Sequence, residues 1–479
     1  MERAWEGFEP QQVTDHYGGS AARVTMEEIR ELCGANHLRE NSGYEGLGVR
    51  IAFWDDGIRT DHIDLLARRP ITFIRPPVRA NGNHGTAIAA ILCGEGRGNP
   101  LSRGLLPLGS LVFASQKYVR YDEDSVTAEF LAGQQATLMS DSSDGWGGMP
   151  FIRHYDGYAA LLDELVLHHD MVLCSAIGNG VPREGKTGSW AKNVVHVGGV
   201  DPKGSIDRKA HRPLQCTTGP AADGRIKPDL VHFGYGIYTA SAGGPKEYEN
   251  FAGTSCAAPL VAGMFGLMME AWADNAFHTL PLGRSISERK PGAATAKAIM
   301  INFAYRYPME GDQAKFTRHQ QGWGMPDVRH FHAPGNRLFI VDQETALGDR
   351  QTVEYQVRVA QGEPELRVTM AYSDPPAAPV AAKALVNDLD VVLRSPDGIQ
   401  YRGNWGLEEE NFSPANGAAD RLNNVESIFV ATPLPGVWSV QISAYRVALD
   451  QRPDTKRYDQ DFGLVVAGAV ATGEVTDAD

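Results

Sequence analysis

Between residue 49 and about residue 330, short apolar runs alternate with longer segments of helical character. The runs VRIAFW, SLVFAS, ATLMS, MVLCSAI and NVVHVGGV are apolar at nearly every position, the pattern of strands buried on both faces. Between them, GTAIAAILCG, DGYAALLDELVLHH, CAAPLVAGMFGLMMEAW and TAKAIMINFAY have the length and content of helices. Strands of this kind separated by helices predict a parallel, doubly wound α/β sheet. Near residue 334 the period shortens. NRLFIVDQ, TVEYQVRV, PELRVTMAYS, DLDVVLRS, SIFVATP, VWSVQISAY and FGLVVAGAV alternate apolar with polar positions, with turn signals at SPDG and ATPLPG. That pattern predicts an all-β unit, a β-sandwich or jelly roll. Ahead of the α/β part, TMEEIRELCGANHL reads as a short helix. Thr25 and Glu28 have the spacing of a capping box, and Gly34 is a stop signal.

The pattern divides the chain into an N-terminal extension with a short helix (1–35), an α/β domain (36–333) and a β domain (334–479). The connection MPDVRHFHAPGNRL is short and partly apolar, which predicts a packed interface. A length of 479 residues also exceeds what one core ordinarily holds. The β domain offers no nucleophile–base pair and is expected to serve stability or substrate docking.

Charge narrows the partners. A formal charge of −14 disfavours nucleic acid, whose phosphates call for a basic surface. No uninterrupted run of about 18 apolar residues is evident, so no membrane partner is expected. The first residues, MERAWEGFEPQQ, are acidic and lack the apolar centre of a signal peptide. The 5 cysteines form no CxxC pair, and an odd, sparse set suits a reducing compartment. A cytoplasmic location is expected, the alternative being a secreted protein whose signal is missing from this chain.

Candidate chemistry lies at the ends of predicted elements. IAFWDDG closes a strand with carboxylates and a glycine, NHGTAIAAIL sets a histidine before a helix, and FAGTSCAAPLVAG sets a serine before another. Each has an ordinary reading alone: DDG and HG as turns, the serine as an N-cap. Together they give Asp, His and Ser in an order found in one class of serine protease. With HGTAIAA, AIGNG, GTSCAAPLVAG, GLLPLGSLVFAS, GPAADGRIKPDL and GWG at 322–324, residues 36–330 resemble the subtilisin-like serine proteases. AYSDPPAAP, ALVNDLDVVLRSPDG, NNVE and FGLVVAG resemble the β-sandwich appended in a bacterial alkaline-protease branch.

The resemblance implies Ser255 as nucleophile, His84 as base and Asp55 as the carboxylate that orients it. Asn179 would donate to the oxyanion beside the Ser255 backbone N–H. Asp56 stands where the family usually has Ser or Thr. Cys256 is the stronger intrinsic nucleophile, but consecutive helical residues point about 100° apart. If Ser255 faces His84, Cys256 faces away. Pro259 reads as a first-turn proline, where no N–H is needed.

ATLMSDSSDGWGG falls where the family lines its S1 pocket, making Asp141, Ser142, Ser143 and Asp144 candidate substrate-binding residues. Two carboxylates there suggest a preference for basic or polar P1 side chains, with a solvated acidic loop as the alternative. Metal ligands are unknown and no cofactor is required. Asp388, Asp390 and Asp397 offer oxygens for a structural calcium without EF-hand spacing. The expected activity is a serine endopeptidase acting on a peptide or protein substrate, one that matures a precursor. A transpeptidase or macrocyclase on the same scaffold is the alternative, and a non-catalytic binding protein the more distant one.

Overall fold

The computed structural model describes residues 23–66, 71–75, 82–116, 123–143, 151–277, 286, 289–310, 315–332, 337–452, 455 and 457–478. Its centre is an eight-stranded sheet. In chain order its strands are β2 (Arg50–Asp55), β3 (Thr72–Arg75), β4 (Ser110–Ser115), β5 (Leu138–Asp141), β6 (Val172–Ala176), β7 (Val195–Asp201), β8 (Arg212–Pro213) and β9 (Leu230–Phe233). The spatial order is β3-β4-β2-β5-β6-β7-β8, with β9 also on β7. All pairs are parallel except β7 with β8. The five apolar runs read as strands form β2 and β4 to β7, whose central residues are buried on both faces. The short β3 and β9 lack so distinct a pattern and were not anticipated.

The N-terminal reading needs revision. The expected helix forms as α1 (Met26–Cys33), with the Thr25–Glu28 reciprocal capping pair in place. Gly34 ends it at φ +87°, a conformation that favours glycine. A Cβ there would also lie 2.7 Å from the Arg329 backbone nitrogen. A second helix, α2 (Ala35–Ser42), follows at once. These residues are not an appendage: β1 (Val24–Thr25) pairs with Ile237 and Tyr238, and Met26, Ile29, Cys33 and Leu38 lie in the main core.

Beyond residue 337 the chain forms two antiparallel sheets of four and five strands. Apolar residues of both, among them Val368, Leu464, Val391 and Ile442, enclose a second core. The strand Thr352–Val359 shows the period-2 burial its sequence predicts. Ala371, Ala384, Leu407, Val425, Phe429 and Val465 belong instead to the main core, so apolar packing continues across the junction. Charge is buried there too. The Lys192 ammonium pairs with Asp374, both side chains 0% exposed, and donates to the carbonyls of Pro375 (2.6 Å) and Ala384 (2.9 Å).

Among the described residues one helix, Thr254–Ala273, is long and apolar enough to cross a membrane, although polar residues interrupt its apolar run. In this fold, 94% of its most apolar window is buried inside the protein.

Removing one partner of a buried ion pair leaves an uncompensated charge. Asp374→Ala should therefore lower unfolding free energy by roughly 3–5 kcal/mol in urea titrations. Arg39→Ala, which deletes an exposed pair with Glu40, should change it by less than about 1 kcal/mol.

Candidate active site

Three elements converge at the carboxyl edge of the central sheet, where ligands bind in folds of this class. β2 ends in Asp55, which is 3% exposed. α3 (Asn83–Cys93) carries His84 in its first turn. His84 Nδ1 lies 2.8 Å from Asp55 Oδ2 and 3.0 Å from Oδ1, so Nδ1–H donates to the carboxylate and the other ring nitrogen is left to act as base. Gly85 makes this approach possible. A Cβ there would stand 2.1 Å from the Gly57 carbonyl oxygen and 3.0 Å from Asp55 Cβ. The His84 ring also meets the Phe251 ring edge-to-face at 5.3 Å.

Asp55, not Asp56, occupies the position beside the imidazole. The Asp56 amide donates to Asp55 Oδ1 at 2.7 Å. Burial, then the neighbouring Asp55 charge, pushes the Asp56 carboxyl up to about 6.

Ser255 opens the central helix, here numbered α6 (Thr254–Ala273) after α4 (Glu123–Ala128) and α5 (Gly157–His169). Gly253 precedes it at φ +109°, and a Cβ there would lie 3.2 Å from Asn179 Nδ2. Because α6 begins at Thr254, the Ser255 N–H is among the first-turn donors that no helical carbonyl satisfies. Pro259 is thus the sixth helical residue and lies beyond the first turn. Its missing N–H deprives the Ser255 carbonyl of its usual helical partner. The Ser142 hydroxyl takes that place, donating to Ser255 O at 2.9 Å. In return, Ser255 Oγ donates to the Ser142 carbonyl at 3.3 Å.

Asn179 is exposed at the end of the β6 loop. Its Oδ1 accepts from Thr254 N at 2.8 Å and Thr254 Oγ1 at 3.1 Å. Both donors fix the amide orientation, so Nδ2–H2 is the group presented beside Gly253. Thr254 was not singled out in the sequence, although it stands within GTS. Cys256 is 0% exposed, and its thiol contacts the Gly253 carbonyl at 2.9 Å. Burial pushes this thiol far above its ordinary value, the reverse of an activated nucleophile.

The substrate-pocket candidates divide. Ser142 lies against Ser255, Ser143 is bonded to Asp141 and Lys186, and Asp144 falls outside the described residues. Asp141 cannot receive a substrate cation as expected. It is 1% exposed, and its Oδ1 accepts from Trp54 Nε1 (2.9 Å), Ser143 N (3.0 Å) and Ser143 Oγ (2.6 Å). Its Oδ2 accepts from Ser175 Oγ at 2.8 Å and Lys186 Nζ at 3.3 Å. Burial opposes ionisation, but Lys186 and the Ser143 and Ser175 hydrogen bonds hold the carboxyl below its usual value. The expectation of a basic P1 preference therefore loses one of its two carboxylates.

The calcium candidates do not converge. Arg421 reaches Asp388 Oδ1 at 3.0 Å and Asp390 Oδ2 at 3.0 Å, placing a cation of the chain's own between them. Asp397 accepts instead from Ser395 in a turn. Among the described residues, no group of three or more His, Cys, Asp or Glu is placed to hold a metal.

An Asp56 carboxyl raised to about 6 binds its proton more tightly in the folded state than in the unfolded chain. Its contribution to stability is complete below about pH 4 and is lost as pH rises through about 6. Asp56→Asn should remove that component. In denaturant titrations at pH 4 and pH 7, the variant should lose less stability than wild type across the interval.

Known proteases are similar to part of this chain. Subtilisin-like protease SBT6.1 of Arabidopsis thaliana is 27% identical over 252 residues, covering 50% of this chain and 23% of that protein. Membrane-bound transcription factor site-1 protease of Homo sapiens is 27% identical over 264 residues, covering 53% of this chain and 24% of that protein. The chain thus spans about a quarter of the length of these curated relatives. Among solved structures, prenylagaramide maturation protease PagA aligns with a TM-score of 0.46 and 18% identity, covering 62% of this chain and 98% of that one. The profile of the Subtilase family matches residues 46–324, more than half of the chain and a span holding Asp55, His84, Asn179 and Ser255, so the chain belongs to the Subtilase family.

Proposed function

We propose that this chain is a serine endopeptidase that cleaves a peptide or protein substrate through an acyl-enzyme. The observation that carries the reading is the 2.8 Å contact of His84 Nδ1 with buried Asp55, on a site whose other wall is the first turn of α6. Ser255 Oγ attacks the substrate carbonyl while His84 Nε2 takes its proton. Asp55 holds the tautomer that makes this possible and stabilises the imidazolium that forms. Asn179 Nδ2–H2 and the Ser255 N–H donate to the oxyanion. His84 then protonates the departing amine, and water deacylates Ser255 by the reverse sequence.

The breadth of action is narrow in this reading, with a specific precursor as substrate rather than bulk protein. The two-sheet unit beyond residue 337 is assigned as a β-sandwich that braces the catalytic part. The cysteines are buried thiols, which supports work in a reducing compartment.

The test is nucleophile identity. Ser255→Ala should abolish peptide hydrolysis and fluorophosphonate labelling, while Cys256→Ala keeps both; the opposite result would overturn the assignment. Asp55→Asn should lower turnover by about 10⁴ by favouring the wrong histidine tautomer. Asp56→Asn should retain most activity, and steady-state kinetics of the two variants separate the adjacent carboxylates.

A further inference from the structure

The chain holds a buried cation against the 141–143 segment that the reaction above does not use. Lys186 is 7% exposed. Its ammonium reaches Asp141 Oδ2 at 3.3 Å and donates to the Ser143 carbonyl. We propose that Lys186 is a positioning residue for the serine-peptidase reaction, holding the 141–143 segment so that Ser142 stays against Ser255 at the start of α6. The inference rests on the endopeptidase reading.

The argument runs through peptide geometry. The Ser142 carbonyl and the Ser143 N–H belong to one planar unit, with oxygen and hydrogen pointing in opposite directions. The Ser143 N–H is bound to Asp141 Oδ1 at 3.0 Å. The opposite end of that plane, Ser142 O, therefore points away from Asp141, and there it receives the Ser255 hydroxyl at 3.3 Å. The direction of Ser142 O is thus set by the Asp141 carboxylate. Lys186 fixes that carboxylate through Oδ2 and fixes the next carbonyl, Ser143 O, directly. Two consecutive peptide planes are held by one ammonium.

Lys186 also belongs to the opposite wall of the cleft. A Cβ on Gly178 would lie 3.4 Å from the Lys186 backbone nitrogen and 3.7 Å from its Cγ. Gly178 adjoins Asn179, and its N–H donates to Thr254 Oγ1 at 3.3 Å. Lys186 therefore lies between the 141–143 segment, which it binds, and the backbone next to Asn179. Displacing a reacting group by about 1 Å can lower turnover about 10²-fold.

The test separates positioning from stability. Lys186→Met leaves the Asp141 carboxylate buried without its cation. The double variant Lys186→Met with Asp141→Asn removes both charges, while the Asn oxygen still accepts from Ser143 and Trp54. Thermal melts, kcat and KM for a short peptide, and the rate of fluorophosphonate labelling should be measured for wild type, both variants and Ser255→Ala. The double variant should melt near wild type. It should still lose roughly 10–100-fold in kcat and in labelling rate, with KM changed less than about threefold. A double variant that turns over like wild type would overturn the inference, because the pair would then serve folding alone. Wild type that neither hydrolyses peptides nor labels at Ser255 would instead overturn the endopeptidase reading itself.

Discussion

The position of Ser255 depends on the complete burial of one helix. Every residue of α6 from Thr254 to Trp272 is buried. A helix exposed on one face can shift along its neighbours, but one enclosed on all sides is held by close packing from every direction. Small residues make the enclosure possible. A Cβ on Gly263 would lie 2.8 Å from Leu105 Cβ, and one on Gly266 would lie 2.5 Å from Leu106 Cδ1. At the far end, Glu270 accepts from Gly46 N at 2.6 Å and Leu47 N at 3.1 Å, which ties the helix to the approach to β2. Ser255 is thereby fixed by the core rather than by a loop.

That arrangement explains which parts of the site were legible in the sequence. Asp55, His84 and Ser255 each sit where an apolar run begins or ends, so local pattern marks the position and residue type suggests the chemistry. Cys256 could be set aside from helical geometry alone, since its neighbour's direction fixes its own. Lys186 carried no such signal. Its significance lies in contact with Asp141, 45 residues earlier, and loop sequence does not encode that distance. Asp141 misled for the same reason: its carboxylate reads as a pocket charge until its five donors are seen. The acidic NDLDVVLRSPDG segment gave no sign that Arg421, 31 residues beyond Asp390, bonds to both Asp388 and Asp390.

The fold divides along the same line. Buried parallel strands and the alternating strands of the two-sheet unit were readable from period alone. The role of residues 24–42 was not. Their helix caps are local, yet their membership in the main core depends on pairing of Val24 with Ile237 and on packing of Gly34 against Arg329. Such contacts are properties of topology. A stretch of polar sequence beside a short helix offers no means to infer them.

The loop from β6 to β7 brings these threads together, because a charge is buried at its middle and another near its β7 end. Lys186 faces inward to Asp141, and Lys192 faces across the junction to Asp374. Asn193 adds bonds in both directions: its N–H donates to Asp163 Oδ1 at 2.8 Å, its Nδ2 donates to the Asp374 carbonyl at 2.9 Å, and its Oδ1 accepts from Asp374 N at 2.9 Å. Buried ion pairs are poor sources of net stability, since desolvation offsets most of their attraction, and apolar residues of the same volume often serve as well. What they supply is direction, because each ammonium is satisfied in few geometries. In this chain these directed contacts, at Lys186, Lys192 and Asn193, all follow Asn179 along the same loop. The two-sheet unit contributes Asp374 and the carbonyls around it, so through Lys192 and Asn193 it fixes the end of this loop that enters β7.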